Sequence, residues 1–205
     1  MNTSARLAGL IGCAASGCVL GVALRAAGIR INLSPSAPVG VFLATPVQAE
    51  RQSKVQLRRG MVVAVCLPVP LEEWGRARRY LMRGSCSDGT APVGKTILAE
   101  SGDTITVTAD GLAVDGRLIC NTRPLARDRE GRPIPRMPDG RFAVGAGEMW
   151  LVSTYTTRSW DSRYFGPVPT AGVVETLRPL WTAGRGESDT ATGQRSVASC
   201  SPHIR

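Results

Sequence analysis

Histidine is almost absent from this 205-residue chain: its one copy, His203, lies in a polar stretch two residues from the C-terminus. A Ser-His-Asp triad would have to recruit that tail, and a histidine-based metal site has no material. Lysine is nearly as scarce, with Lys54 and Lys95 alone among 25 basic residues. A general bias toward arginine accounts for the scarcity but not for the position of Lys95 between apolar runs. A serine nucleophile in this chain would therefore draw on a lysine base, not a histidine. The six cysteines have no metal-ligand spacing, so neither a metal nor another cofactor is expected. No helix-turn-helix, zinc-finger or RNA-binding aromatic signature accompanies the net charge of +9, which excludes the usual nucleic-acid modules and leaves an anionic membrane surface as the better partner.

What is present describes one domain with an anchor and a tail. Residues 1–30 contain an uncharged run from Leu7 to Leu24, rich in Gly, Ala and Ser. As a helix it would span about 27 Å, adequate for a thin bilayer. A retained membrane anchor is expected there, with a cleaved signal peptide as the alternative. Residues 31–182 read as the folded body and 183–205, which lack periodicity, as a disordered tail. Aromatics at 5% with 23 Gly and 14 Pro suggest many turns.

Within the body, strands are expected at Val39–Ala44, Met61–Cys66, Lys95–Glu100, Asp103–Ala109, Leu112–Val114, Glu148–Ser153 and Val173–Leu177, with Leu180-Trp181 closing the β body. Asp110-Gly111 and Asp115-Gly116 are hairpin signals. A single helix begins at Pro70, carries Glu72 and Glu73 in its first turn and Arg78, Arg79 and Arg83 in its last, and stops at Gly84. Its Trp74, Ala77 and Leu81 share one face and are expected to pack in the core. Residues 121–147 are expected to form a long ordered loop or flap. Cys66 ends a strand and Cys86 follows the helix, so the two either bridge or remain ordinary buried thiols.

The chemistry is placed at Asn32-Leu33-Ser34-Pro35-Ser36-Ala37-Pro38-Val39-Gly40. Two prolines fix the backbone around Ser36 and present its hydroxyl in one direction. Taken alone, these nine residues favour a Ser/Pro-rich linker leaving a membrane segment, and the downstream residues reverse that reading. A serine hydroxyl needs an adjacent base near neutral pH, and a lysine serves only when burial brings its pKa down from about 10.4 toward roughly 7–8. Lys95, between Pro92-Val93 and Ile97-Leu98, has surroundings suited to that.

Four blocks, in order, resemble the signal peptidase I clan of Ser-Lys proteases, and specifically its conjugative-transfer family, the TraF-like peptidases. Ser34 to Phe42 is similar to the nucleophile box; Gly94-Lys95 through Gly102-Asp103 to the lysine box; Asp110 to Arg117 to the following hairpin; and Ser159 to Gly166 to the Ser-x-Asp-Ser-Arg-aromatic-aromatic-Gly box. Ala37-Pro38 directly after Ser36 is the transfer-type variant; general preprotein signal peptidases place methionine there, then proline. Gly94 and Thr96 flank the lysine where that family often has bulkier or basic residues, and the Gly102-Asp103 turn lacks its usual preceding proline.

The resemblance implies a mainly β fold, a signal-peptidase-like domain of antiparallel sheets with one short helix, plus the N-terminal anchor helix. It implies Ser36 as nucleophile and Lys95 as general base, with Ser34 and the Ser36 amide holding the oxyanion. Ser159 would orient the lysine, and Asp161 and Arg163 would form a supporting ion pair. Cys66 and Cys86 match cysteines of the transfer-type family, which implies a disulfide and a domain outside the cytoplasm. The expected protein is a serine endopeptidase of the bacterial inner membrane, facing the periplasm. It would process a pilin-like precursor after small residues, alongside other transfer-apparatus proteins. The alternatives are a general preprotein signal peptidase, a catalytically idle scaffold of the transfer complex, and a basic binder of nucleic acid or anionic lipid.

Overall fold

The computed structural model describes residues 17–34, 36–47 and 56–183. Its strands are β1 (Ile29–Asn32), β2 (Gly40–Pro46), β3 (Val62–Val65), β4 (Val93–Ala99), β5 (Thr104–Thr108), β6 (Gly111–Val114), β7 (Arg117–Leu118), β8 (Gly140–Ala143), β9 (Glu148–Val152), β10 (Val168–Pro169) and β11 (Val173–Thr182). They form a seven-stranded sheet in the order β1-β2-β11-β3-β4-β9-β10 and a four-stranded sheet in the order β7-β6-β5-β8. All these neighbours pair antiparallel. The mainly β, antiparallel fold class is therefore the one expected.

The helices are α1 (residues 17–26), α2 (Val69–Ala77) and α3 (Ser162–Phe165). Helix α1 is exposed throughout, and among the described residues no helix is long and apolar enough to cross a membrane. Residues 1–16 of the expected anchor and 184–205 of the expected tail lie outside the described residues.

Period-two alternation lets β4 and β9 serve two cores at once. Leu98, Trp150 and Val152 face the four-stranded sheet, where they pack with Ile105, Val107, Leu112 and Val114. Ile97, Met149 and Leu151 face the other way, toward Val63, Val65 and Leu67. Strand β3 is buried at all four of its positions, as its unbroken apolar run requires. The turn joining β6 to β7 has Asp115 at φ 50° and Gly116 at φ 81°, the left-handed pair that a type I′ hairpin needs.

Several elements differ from the sequence expectation, and β1, β10 and the short α3 are additional to it. Helix α2 ends at Ala77, well before Gly84: Arg79 adopts φ 60°, and the Tyr80 amide turns back to the Gly75 carbonyl at 2.8 Å. Its buried positions are Glu72 and Gly75, while Ala77 is exposed, so Glu72 is not a solvated first-turn acid. Trp74 does pack, stacking on Trp160 with ring centroids 5.1 Å apart. The 121–147 flap contains strand β8, paired with β5. Strand β11 runs unbroken through Pro179, because a register shift between Pro179 and Trp181 absorbs the missing N–H.

Gly40, at the start of β2, is glycine for a steric reason. A Cβ there would lie 2.2 Å from the Trp181 carbonyl oxygen and 2.8 Å from the Thr182 Cα, both backbone atoms of β11. Gly40→Ala is expected to cost about 1–3 kcal/mol, the range of an overpacked site. Urea unfolding checks this; an unchanged midpoint would contradict the close approach.

Candidate active site

Ser36 sits on the loop between β1 and β2, at the edge of the larger sheet. A single side chain at the end of β1 holds that loop. Asn32 Nδ2 donates to the carbonyls of Ser34 (2.9 Å), Ala37 (3.1 Å) and Pro38 (2.9 Å), while its Oδ1 accepts from the Ser34 amide (3.0 Å). Inside the loop the Ser36 amide donates to Ser34 Oγ at 3.2 Å. Ser34 and Ser36 are therefore brought together, as the resemblance implied. Asn32 was not foreseen: an asparagine before Ser and Pro carries only a turn signal in the sequence.

Lys95 lies in β4 opposite Val63 and is 5% exposed. Its Nζ donates to Ser159 Oγ at 2.6 Å, and Ser159 is itself buried. Burial brings the lysine pKa from 10.5 down to about 8; the negative charge of Asp161 opposes that fall and the positive charge of Arg163 adds to it. Among the described residues, no hydrogen bond joins Ser36 to Lys95. Their immediate neighbours, Ala37 and Gly94, line one groove of about 460 Å³.

Behind Ser159 stands an ion pair with both side chains fully buried. Arg163 Nε and Nη2 donate to the two carboxylate oxygens of Asp161, each at 2.8 Å. Asp161 Oδ2 also accepts from the Ser153 amide at 3.0 Å. Arg163 Nη2 reaches the Ser159 carbonyl at 3.2 Å and Nη1 the Asn121 carbonyl at 3.0 Å, so the pair pins the end of β9, the Ser159 segment and the flap together.

The groove wall opposite β1 is a small hairpin in which Arg83 pairs with Thr90. Cys86 within it is disulfide-bonded to Cys66, just past β3. Cys120 is engaged as well, and Cys18 is the free thiol among the described residues. Near the bridge, ligand-type atoms of Glu72, Cys86 and Asp88 come within 4.8 Å of one another. The Cys86 sulfur is committed to the disulfide, so these residues do not make a thiolate metal site. Burial, with the neighbouring Asp88 charge, raises the Glu72 pKa.

The site thus sets a buried lysine on a buried serine hydroxyl, beside a loop presenting a second serine. The family model described as signal peptidase, peptidase S26, matches residues 5–181. The chain belongs to the signal peptidase S26 family. It is 32% identical over 158 residues to a plasmid transfer protein TraF of Escherichia coli, covering 77% of this chain and 84% of that one. It is 34% identical over 156 residues to a conjugal transfer protein TraF of Agrobacterium tumefaciens (strain 15955), covering 76% and 83% respectively. A signal peptidase I structure from Enterococcus faecalis V583 aligns with a TM-score of 0.32 at 20% identity, over 58% of this chain and 93% of that one. This S26 chain is thus of the TraF type among the signal peptidases.

The lysine has a measurable cost. Its folded pKa of about 8 lies below the unfolded value near 10.4, so between those pH values the unfolded chain binds more protons and stability rises with pH. Below about pH 8 the full penalty applies, on the order of 3 kcal/mol. Lys95→Met is therefore expected to stabilise the protein at pH 7 and to flatten its stability profile between pH 8 and 10. Urea titrations across that window test the expectation; parallel profiles for the two proteins would show that Lys95 is not held neutral.

Proposed function

We propose that this S26 chain is a serine endopeptidase in which Ser36 is the nucleophile and Lys95 the general base. It is anchored in the bacterial inner membrane with its catalytic domain outside the cytoplasm. Its substrate is a secreted precursor, a pilin or another transfer-apparatus protein, cut after small residues. The observation that carries the reading is Lys95, buried and hydrogen-bonded to Ser159, with a pKa near enough to neutrality to act as a base. Membership of the signal peptidase family supports the reaction class. The relatives' names support a transfer precursor as the substrate. A disulfide between Cys66 and Cys86 suits an oxidising compartment.

The steps balance as follows. Neutral Lys95 Nζ takes the Ser36 Oγ proton as Oγ attacks the scissile carbonyl carbon. The resulting oxyanion replaces Ser34 Oγ as acceptor of the Ser36 amide, and the Ser34 hydroxyl turns to donate to it; one such donor contributes about 2.7–4 kcal/mol. The C–N bond then breaks and the Lys95 ammonium protonates the leaving amine, leaving an ester on Ser36. Water attacks the ester while Lys95 takes its proton, and the new carboxyl end departs as Ser36 regains its hydrogen. Throughout, Ser159 keeps the amine in register, and Asp161 and Arg163 keep Ser159 in place.

Cleavage of a pilin precursor encoded beside this chain, followed by mass spectrometry, tests the proposal. Wild type is expected to cut while Ser36→Ala and Lys95→Met do not, and kcat/KM is expected to rise with pH about an apparent pKa near 8. Cutting by Ser36→Ala would move the nucleophile elsewhere, Ser34 first. A precursor bound but left whole by wild type would favour a scaffold, and a plateau complete by about pH 5 would rule out a lysine base.

The four hydrogen bonds of Asn32 imply a second effect. Asn32→Ala is expected to lower kcat roughly 10- to 100-fold through misplacement of Ser36, with less change in KM. Steady-state kinetics decide this, and a loss confined to KM would mean the loop keeps its geometry without Asn32.

A further inference from the structure

The groove beside Ser36 and Lys95 is charged where a peptide would lie. Arg30 on β1 reaches over β2 to Glu175 on β11, donating from Nη2 to Oε1 at 2.6 Å and from Nε to Oε2 at 3.3 Å. Its remaining nitrogen, Nη1, donates to the Arg25 and Ile29 carbonyls at 2.9 and 3.2 Å. The pair is a quarter exposed on its groove side, fixed, and neutral overall. Two further arginines, Arg25 and Arg83, line the same groove, and among the described residues neither guanidinium makes a hydrogen bond or ion pair. Three cations and one carboxylate thus leave the groove positive. Arg83 is the better placed of the two free cations, since its backbone belongs to the disulfide-pinned hairpin.

Register places this charge close to the chemistry. Glu175 pairs with Ala64, and Ala64 with Gly94, the residue before Lys95. Two strand spacings separate Glu175 from Gly94, about 10 Å, which three residues of an extended peptide cover. Gly94 leaves the intervening space open, since nothing lies within 4 Å of the position its Cβ would take. An apolar segment would find this floor costly, because it would strip water from the ion pair without replacing its hydration. A carboxylate side chain would meet Arg83 instead.

We infer that the groove selects precursors carrying an acidic side chain near the cut, with Arg83 as its counter-charge and the Arg30–Glu175 pair as a polar floor. The inference rests on the peptidase reading above and adds to it the substrate's charge.

The test uses the full chain in detergent and quenched-fluorescent decapeptides of alanine and serine. Each of three positions on either side of the cut is set in turn to Glu, Gln or Lys. At one or more positions wild type is expected to cut the Glu peptide roughly two- to fivefold faster in kcat/KM than the Gln peptide, the range an exposed ion pair supplies, with Lys slowest. The Glu-to-Gln ratio is expected to fall toward one in Arg83→Gln and in raised salt. It should persist in Arg141→Gln, which removes an equal charge from exposed β8 on the other sheet. A ratio near one at every position in wild type, or a ratio unchanged by Arg83→Gln, overturns the inference while leaving the peptidase intact. Failure to cut any of the peptides or the precursor overturns the peptidase reading, and the inference with it.

Discussion

The geometry around Lys95 depends on one desolvated fork, the guanidinium of Arg163 on the carboxylate of Asp161. An ion pair taken wholly out of water loses several kcal/mol of hydration per ion, and holds only if its remaining lone pairs and protons are also satisfied. Here they are: Asp161 accepts from the Ser153 amide, and Arg163 spends its other donors on carbonyls of the flap and of Ser159. The partners of the pair are backbone groups from three separate segments, so its satisfaction and the closure of the site are one event. Because Asp161 is engaged by Arg163, its pull on the lysine charge is offset, and burial remains the largest influence on Lys95. A nearby unpaired carboxylate would hold the amine protonated and useless as a base. Removing either member of the fork would leave a bare buried charge, so loss of activity in such a variant would report folding before chemistry.

The site combines a rigid half with an adjustable half. Ser159, Asp161 and Arg163 are all buried, and their segment packs through Trp160 on Trp74 of α2. The Ser34–Ser36 loop is nearer the surface, held by Asn32 from below. In the proposed reaction, proton transfer tolerates little error in the lysine's position, whereas the serine would accept a substrate and its amide would turn from Ser34 Oγ to an oxyanion. On that reading, burial is concentrated where the proton is handled, and exposure where the substrate enters.

Strands with strong local signals were legible in the sequence. The apolar run of β3, the alternation of β5, the Asp115-Gly116 turn and the Glu148–Val152 strand are decided within a few residues. Strand β8 was not, because its four residues alternate weakly inside a Pro- and Gly-rich stretch. The early stop of α2 was missed because the basic run after Ala77 suits a helix end, and only tertiary packing draws Tyr80 back to Gly75. In the site, the pairing of Lys95 with Ser159 followed from a resemblance, since 64 residues separate them. The Cys66–Cys86 bridge, left open by spacing, was likewise favoured by resemblance and is formed in the structure. The Arg30–Glu175 contact, 145 residues apart, has no trace in a single sequence.

The sheet order carries a consequence for the making of the molecule. Strands β1 and β2, which flank the serine loop, pair with neither β3 nor β4; β11 lies between them and is the bridge. Among the described residues, β11 is the last strand in chain order. During synthesis the serine hairpin and the lysine strand therefore emerge early but stay separate sheets until Val173–Thr182 arrives to join them. The two halves of the candidate site thus share one sheet only once β11 is in place, so a chain that lacks Val173–Thr182 cannot form the site.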